Sequence, residues 1–73
     1  MKTKKLRQYA LVKLREDCKH GYEKTPIYNE GTLIYLGEIP NMLGHAVFAG
    51  AESGKLYSGY HPESFRELTD EEV

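Results

Sequence analysis

This chain has little of what usually announces an activity. It contains one cysteine, Cys18, so no intramolecular disulfide can form and no paired-cysteine metal knuckle is available. No apolar run approaches the ~20 residues that span a bilayer. The lysines near the start are not followed by a stretch of secretory length, because Leu11 and Val12 run straight into Lys13. These features lead us to expect a cytoplasmic protein with no membrane segment. Seven glycines are present, but neither G-x-G-x-x-G nor G-x-x-x-x-G-K-[ST] occurs, so they read as turns and bends rather than a phosphate cradle. The formal net charge of -1 excludes a strongly basic nucleic-acid binder on total charge alone.

Seventy-three residues make one domain, expected to run over 1–73. A chain of this size buries only about 60% of its unfolded surface, which leaves one thin core. The apolar fraction of 40% suffices for that core. Residues 1–7 read as a basic, frayed N-terminus and residues 69–73 as an acidic tail.

Charge is nevertheless uneven. Lys2, Lys4, Lys5, Arg7, Lys13 and Arg15 all precede the first acid, Glu16, whereas Glu67, Asp70, Glu71 and Glu72 crowd the end. Two readings follow. Either the basic arm meets phosphates or an acidic surface, or the two ends lie side by side and attract each other.

The pattern of short apolar runs between glycine-containing turns points to strands at residues 9–14, 31–37, 45–50, 55–60 and 65–68. A helix over residues 4–17 competes with the first of these, because Leu6, Tyr9, Ala10, Lys13 and Leu14 have partial helical spacing. Residues 16–31 read as one long loop or irregular hairpin, with Tyr22, Tyr28 and Ile27 available to bury. Pro62 suits the first position of a helical turn just before the last strand. Five short strands in so few residues favour a bent antiparallel sheet closed into a barrel, because closure removes sticky edges. The expected core is Leu11, Leu14, Leu33, Tyr35, Ala46, Phe48, Leu56, Phe65 and Leu68.

The stretch Gly59-Tyr60-His61-Pro62-Glu63-Ser64-Phe65-Arg66-Glu67-Leu68 resembles the closing segment of the Src-homology-3-like (SH3-like) barrels, with Gly59, Pro62, Phe65, Glu67 and Leu68 at matching spacing. Tyr57-Ser58-Gly59 and Ser64-Phe65 are also similar to the closing segment of the small barrel subunits of photosynthetic electron-transfer complexes. The chain as a whole resembles small bacterial or phage-type barrels of unassigned function. The resemblance implies an all-β, five-stranded barrel with a long loop after the first strand and a helical turn before the last. It implies a fold more than a ligand. The peptide-binding members wall a proline groove with paired tryptophans, and this chain has none; Phe65 stands where they carry a ligand-contacting tyrosine.

Six tyrosines against two phenylalanines are the compositional signal for a partner. Tyrosine offers large contact area at low entropic cost, so Tyr22, Tyr28 and Tyr60 are candidate partner-binding residues. Met42 and Leu43, in a turn opened by Pro40 and Asn41, are a second candidate, as an apolar knob. The same residues folded inward would plug one end of the barrel. Lys4, Lys5, Arg7, Lys13 and Arg15 are the candidates for a nucleic-acid face. Cys18, His20, His45 and His61 are the only cysteine and histidines, but their spacing matches no zinc pattern, and no third group marks a thiolate–imidazole pair. The expectation is a non-catalytic binding module or complex subunit, monomeric or homodimeric, with a protein partner and with no catalytic residues, metal or cofactor. Nucleic-acid binding is the alternative, and a metal or thiol enzyme comes after both.

Overall fold

Where β-branched and aromatic residues alternate with polar ones, strands form: β1 (Leu11–Leu14), β2 (Leu33–Glu38), β3 (Ala46–Gly50), β4 (Leu56–Tyr60) and β5 (Phe65–Glu67). The computed structural model describes residues 6–41 and 44–72. All neighbouring strands are antiparallel, in the order β4-β3-β2-β1-β5. The helix that competed for residues 4–17 is not formed over the described part of that stretch. β1 pairs with β2 on one side and β5 on the other. Val12 and Leu14 point inward and Lys13 lies between them on the other face, a two-residue period that no helix shares. Among the described residues, no helix is long and apolar enough to cross a membrane.

Two bulges bend the sheet at one level. Leu36 is an extra residue between Tyr35↔Phe48 and Gly37↔Val47, and Gly59 is an extra residue between Val47↔Ser58 and Ala46↔Tyr60. Gly37 and Gly59 take φ of +122° and +84°, values that a side chain makes costly. Bulges on both sides of Val47 sharpen the twist there. In a flat sheet β3 and β5, with two strands between them, would lie about 14 Å from each other. Yet the rings of Phe48 and Phe65 are 4.3 Å apart, so the sheet curls over its own core.

Hydrogen bonding does not close the ladder into a complete barrel. β4 and β5 are its two edges. The 3-10 turn Pro62–Ser64 occupies the connection between them, so β5 leaves β4 without a hairpin and pairs with β1 instead.

The core consists of Val12, Leu14, Ile27, Leu33, Tyr35, Ala46, Phe48, Tyr57 and Phe65. Three expected members are absent from it. Leu11 and Leu14 are three apart and cannot share a strand face, so Val12 takes the inward place. Tyr57 opposite Phe48 sets the phase of β4 and turns Leu56 out, 71% exposed. Leu68 lies just past β5 and is half-buried. On the outer face, the cross-strand partners Leu11, Ile34, Ala49 and Leu56 form an apolar row across four strands.

Residues 16–31 do not form an irregular loop or a hairpin. They hold two 3-10 segments, Glu16–Tyr22 and Pro26–Asn29, the second nailed to the sheet by the buried Ile27. Arg7, in the stretch expected to fray, is tied to the end of β5. The Arg7 peptide N–H and guanidinium both donate to Glu67, and a turn runs from Thr69 to Glu72.

Candidate functional site

β1 and β2 part company after Val12↔Leu33. Arg15 donates its peptide N–H to Ser64 and Leu11 accepts from Leu68, so the odd residues of β1 bond to β5; Ala10 accepts from Tyr35, so the even residues face β2. By that alternation the peptide groups of Leu14 are aimed at the β2 side. Among the described residues, no backbone bond crosses the gap there. The gap is a groove of about 390 Å³ with Leu14, Ile27 and Leu33 as its floor. Tyr28, 37% exposed, Lys13, Lys19, Gly31, Thr32, Leu68 and Glu72 complete its lining.

The charge on this rim is organised around one carboxylate. Arg66 donates to both oxygens of Glu72 at 2.8 Å, the Thr69 peptide N–H donates at 2.8 Å, and Lys13 Nζ lies 3.4 Å away. The Arg66 hydrogen bonds, followed by that from Thr69, hold the Glu72 carboxyl well below the usual range. Two cations and a backbone donor thus hold the Glu72 carboxylate on this rim.

A second polar cluster ties the segment carrying Tyr28 to the β3–β4 hairpin. The Tyr57 hydroxyl donates to Glu30, and the Ser53 hydroxyl reaches both Glu30 oxygens at 2.9 Å. Gly50 lies against this carboxylate, and a Cβ there would collide with Glu30 and Ser53. The hydrogen bond to Glu30, with burial adding to it, pushes the Tyr57 hydroxyl up to about 12. The bond from Tyr57 holds the Glu30 carboxyl below its ordinary value.

The sign of each shift fixes a pH window. A phenol raised above its unfolded value near 10 supports the fold below that value, and the support is lost as pH rises toward about 12. The Glu30 contribution is present above its unfolded value and is lost as pH falls through the lower folded one. Denaturation midpoints measured against pH are therefore expected to plateau between these limits and fall on an alkaline limb. Tyr57→Phe should shorten that limb, leaving the part due to Tyr35, whose hydroxyl is raised by burial. An unchanged limb in Tyr57→Phe would dissociate it from this pair.

Tyr22 and Tyr60 come together, with ring centroids 5.9 Å apart, and Tyr22 also meets Phe65 at 6.0 Å. Tyr22 donates to Ser64 Oγ at 2.8 Å. Both rings are partly buried against the core, where they fasten the first 3-10 segment to the closing turn. Tyr28 alone of the three lines the groove. Met42 and Leu43 lie outside the described residues, as do Lys4 and Lys5.

Each described basic candidate has an acidic partner: Arg7 with Glu67 at 2.8 Å, Lys13 with Glu72, and Arg15 with Asp17 at 3.0 Å. The described parts of the basic and acidic stretches lie side by side through the β1–β5 ladder. Cys18 is a half-buried free thiol, and His20 is 3.6 Å from Glu23. Among the described residues, no group of three or more His, Cys, Asp or Glu is arranged to hold a metal. His45 and His61 are neighbours, with ring centroids 5.0 Å apart.

The sequence reading missed Lys19, Leu68 and Glu72 as groove residues. The Pro26-Ile27-Tyr28 triplet was the one signal available, since a proline-started turn with an apolar second residue must bury it somewhere. Compared with known proteins, the chain matches no family model, no curated protein and no solved structure.

Proposed function

We propose that this chain is a non-catalytic binding module that takes an extended, acidic segment of a partner protein into the groove between β1 and β2. The observation that carries the reading is the groove itself: an apolar floor, an exposed tyrosine on its lining, and peptide groups of Leu14 directed into it. An extended segment laid there continues the β2 side of β1 by main-chain hydrogen bonds, and its side chains supply specificity. Lys13 and Arg66 hold the Glu72 carboxylate beside this groove, and a carboxylate of the bound segment would bind there by taking its place.

We read the curled sheet as a small SH3-like barrel, on the strength of the Phe48–Phe65 contact and the spacing of Gly59, Pro62, Phe65, Glu67 and Leu68. A single free thiol suits a reducing cytoplasm. Among the described candidates for a polyanion, Arg7 and Arg15 each lie against a carboxylate of this chain, Glu67 and Asp17.

The test is selection from a randomised peptide library, followed by amide chemical-shift mapping with the best binder. Acidic peptides with an apolar residue are expected, with shifts centred on Leu14, Tyr28, Thr32 and Leu68. Tyr28→Ala should weaken binding at least tenfold while leaving the melting temperature within a few degrees. Shifts centred elsewhere, or Tyr28→Ala binding as tightly as the parent, would overturn the proposal.

A further inference from the structure

Ala46↔Tyr60 is the last pair of the β3–β4 ladder, so His45 and His61 occupy the next cross-strand position. Their rings are 5.0 Å apart, centre to centre, with planes inclined by 50°. His45 Nδ1 is buried and, among the described residues, has no hydrogen-bond partner. A buried polar atom left unpaired is uncommon and calls for a reason. His61 is exposed, which gives the pair access to solvent. The flanking residues are Gly44 and Gly59, at φ of +80° and +84°; the positions their Cβ atoms would take lie 3.5 Å from His61 Nδ1 and 3.9 Å from His45 Nδ1. Each ring thus reaches over bare backbone of the opposite strand.

Two imidazoles bound to one tetrahedral ion at the usual zinc–nitrogen distance of about 2.0–2.1 Å have their centres about 5 Å apart. The observed centroid spacing of 5.0 Å matches that value. A histidine nitrogen with no internal partner is also the donor such an ion needs, because a ligating imidazole offers a free lone pair. We propose that His45 and His61 form a binding site for a borderline-soft divalent cation of the zinc class, one nitrogen from each ring, with water completing the shell. This site stands at the bulged end of the β3–β4 ladder and shares no residue with the groove lining.

The experiment is a Zn2+ titration of the full chain, followed through the imidazole nitrogens by long-range 1H–15N correlation. The expected result is saturation at one ion per chain, with His45 Nδ1 and one His61 nitrogen moving to metal-bound shifts. His61→Gln, at an exposed position, should keep the fold and weaken binding at least tenfold. A Cys18→Ser/His20→Gln variant should bind as the parent does. The proposal is overturned if neither His45 nor His61 responds to excess Zn2+, if His61→Gln binds unchanged, or if binding is lost in the Cys18→Ser/His20→Gln variant instead.

Discussion

Phe48→Ala is expected to abolish cooperative thermal unfolding. Phe48 is fully buried, and its ring packs 4.3 Å from Phe65 and 5.5 Å from Tyr35. It is the contact through which β3 reaches β5 across the curl, so no neighbouring strand can fill the space it leaves. Truncating a buried phenylalanine costs about 3–5 kcal/mol, the lost transfer energy plus the cavity. A domain of this size has a total stability of roughly 4–11 kcal/mol. The substitution removes a large part of that, and a broad, non-cooperative calorimetric trace is the expected readout. A sharp transition displaced by only a few degrees would mean that Phe48 is not the keystone of the core.

Ile27→Ala is expected to have the second-largest effect and to act on stability and binding together. Ile27 is 1% exposed and is the one buried residue of its 3-10 segment. That segment belongs to no strand ladder. Besides Ile27, its tie to the sheet is the adjacent Glu30 carboxylate, held by Tyr57 and Ser53. Removing the branched side chain should cost about 2–4 kcal/mol. For a domain of this length that corresponds to a fall in melting temperature of more than about 10 °C. Because Ile27 also floors the groove and Tyr28 is its neighbour, acidic-peptide affinity should fall with it. Denaturation in urea and peptide titration of the same sample check both. A variant that is destabilised yet binds normally would separate the segment from the groove.

The two effects differ in kind. Phe48 acts through the sheet, whereas Ile27 acts through a segment whose local sequence forms no regular element of useful length. Short 3-10 turns have poor hydrogen-bond geometry and persist by tertiary packing. This is why residues 16–31 read as a loop in the sequence and are ordered turns in the structure. The end charges gave two readings for a similar reason. Basic residues at one end and acidic ones at the other fit an arm for polyanions as well as a pair of adjacent termini. The β1–β5 ladder, which puts Arg7 beside Glu67 and Lys13 beside Glu72, favours adjacent charges for the described residues.

Strand positions were legible because they depend on local chemistry. Glycines, prolines and β-branched or aromatic runs punctuate this chain every few residues, and all five strands lie within two residues of where those signals put them. The Pro62 turn was legible for the same reason. Which residues face inward was only partly so. A strand's phase is set by its partner, and a slip of one residue exchanges its faces. Thus Tyr57 rather than Leu56 is buried, and Val12 rather than Leu11. Of the groove only Tyr28 was legible as a partner contact; its convergence with Lys13, Lys19, Leu68 and Glu72 was not, since these are scattered from one end of the chain to the other. The sequence by itself determined the five strands, the turn before the last of them and the all-β class, because those follow from short-range propensity. The tertiary structure alone decided the curl of the sheet, its open β4 and β5 edges, the faces of its strands and the convergence of the groove, because each depends on contacts between residues far apart in the chain.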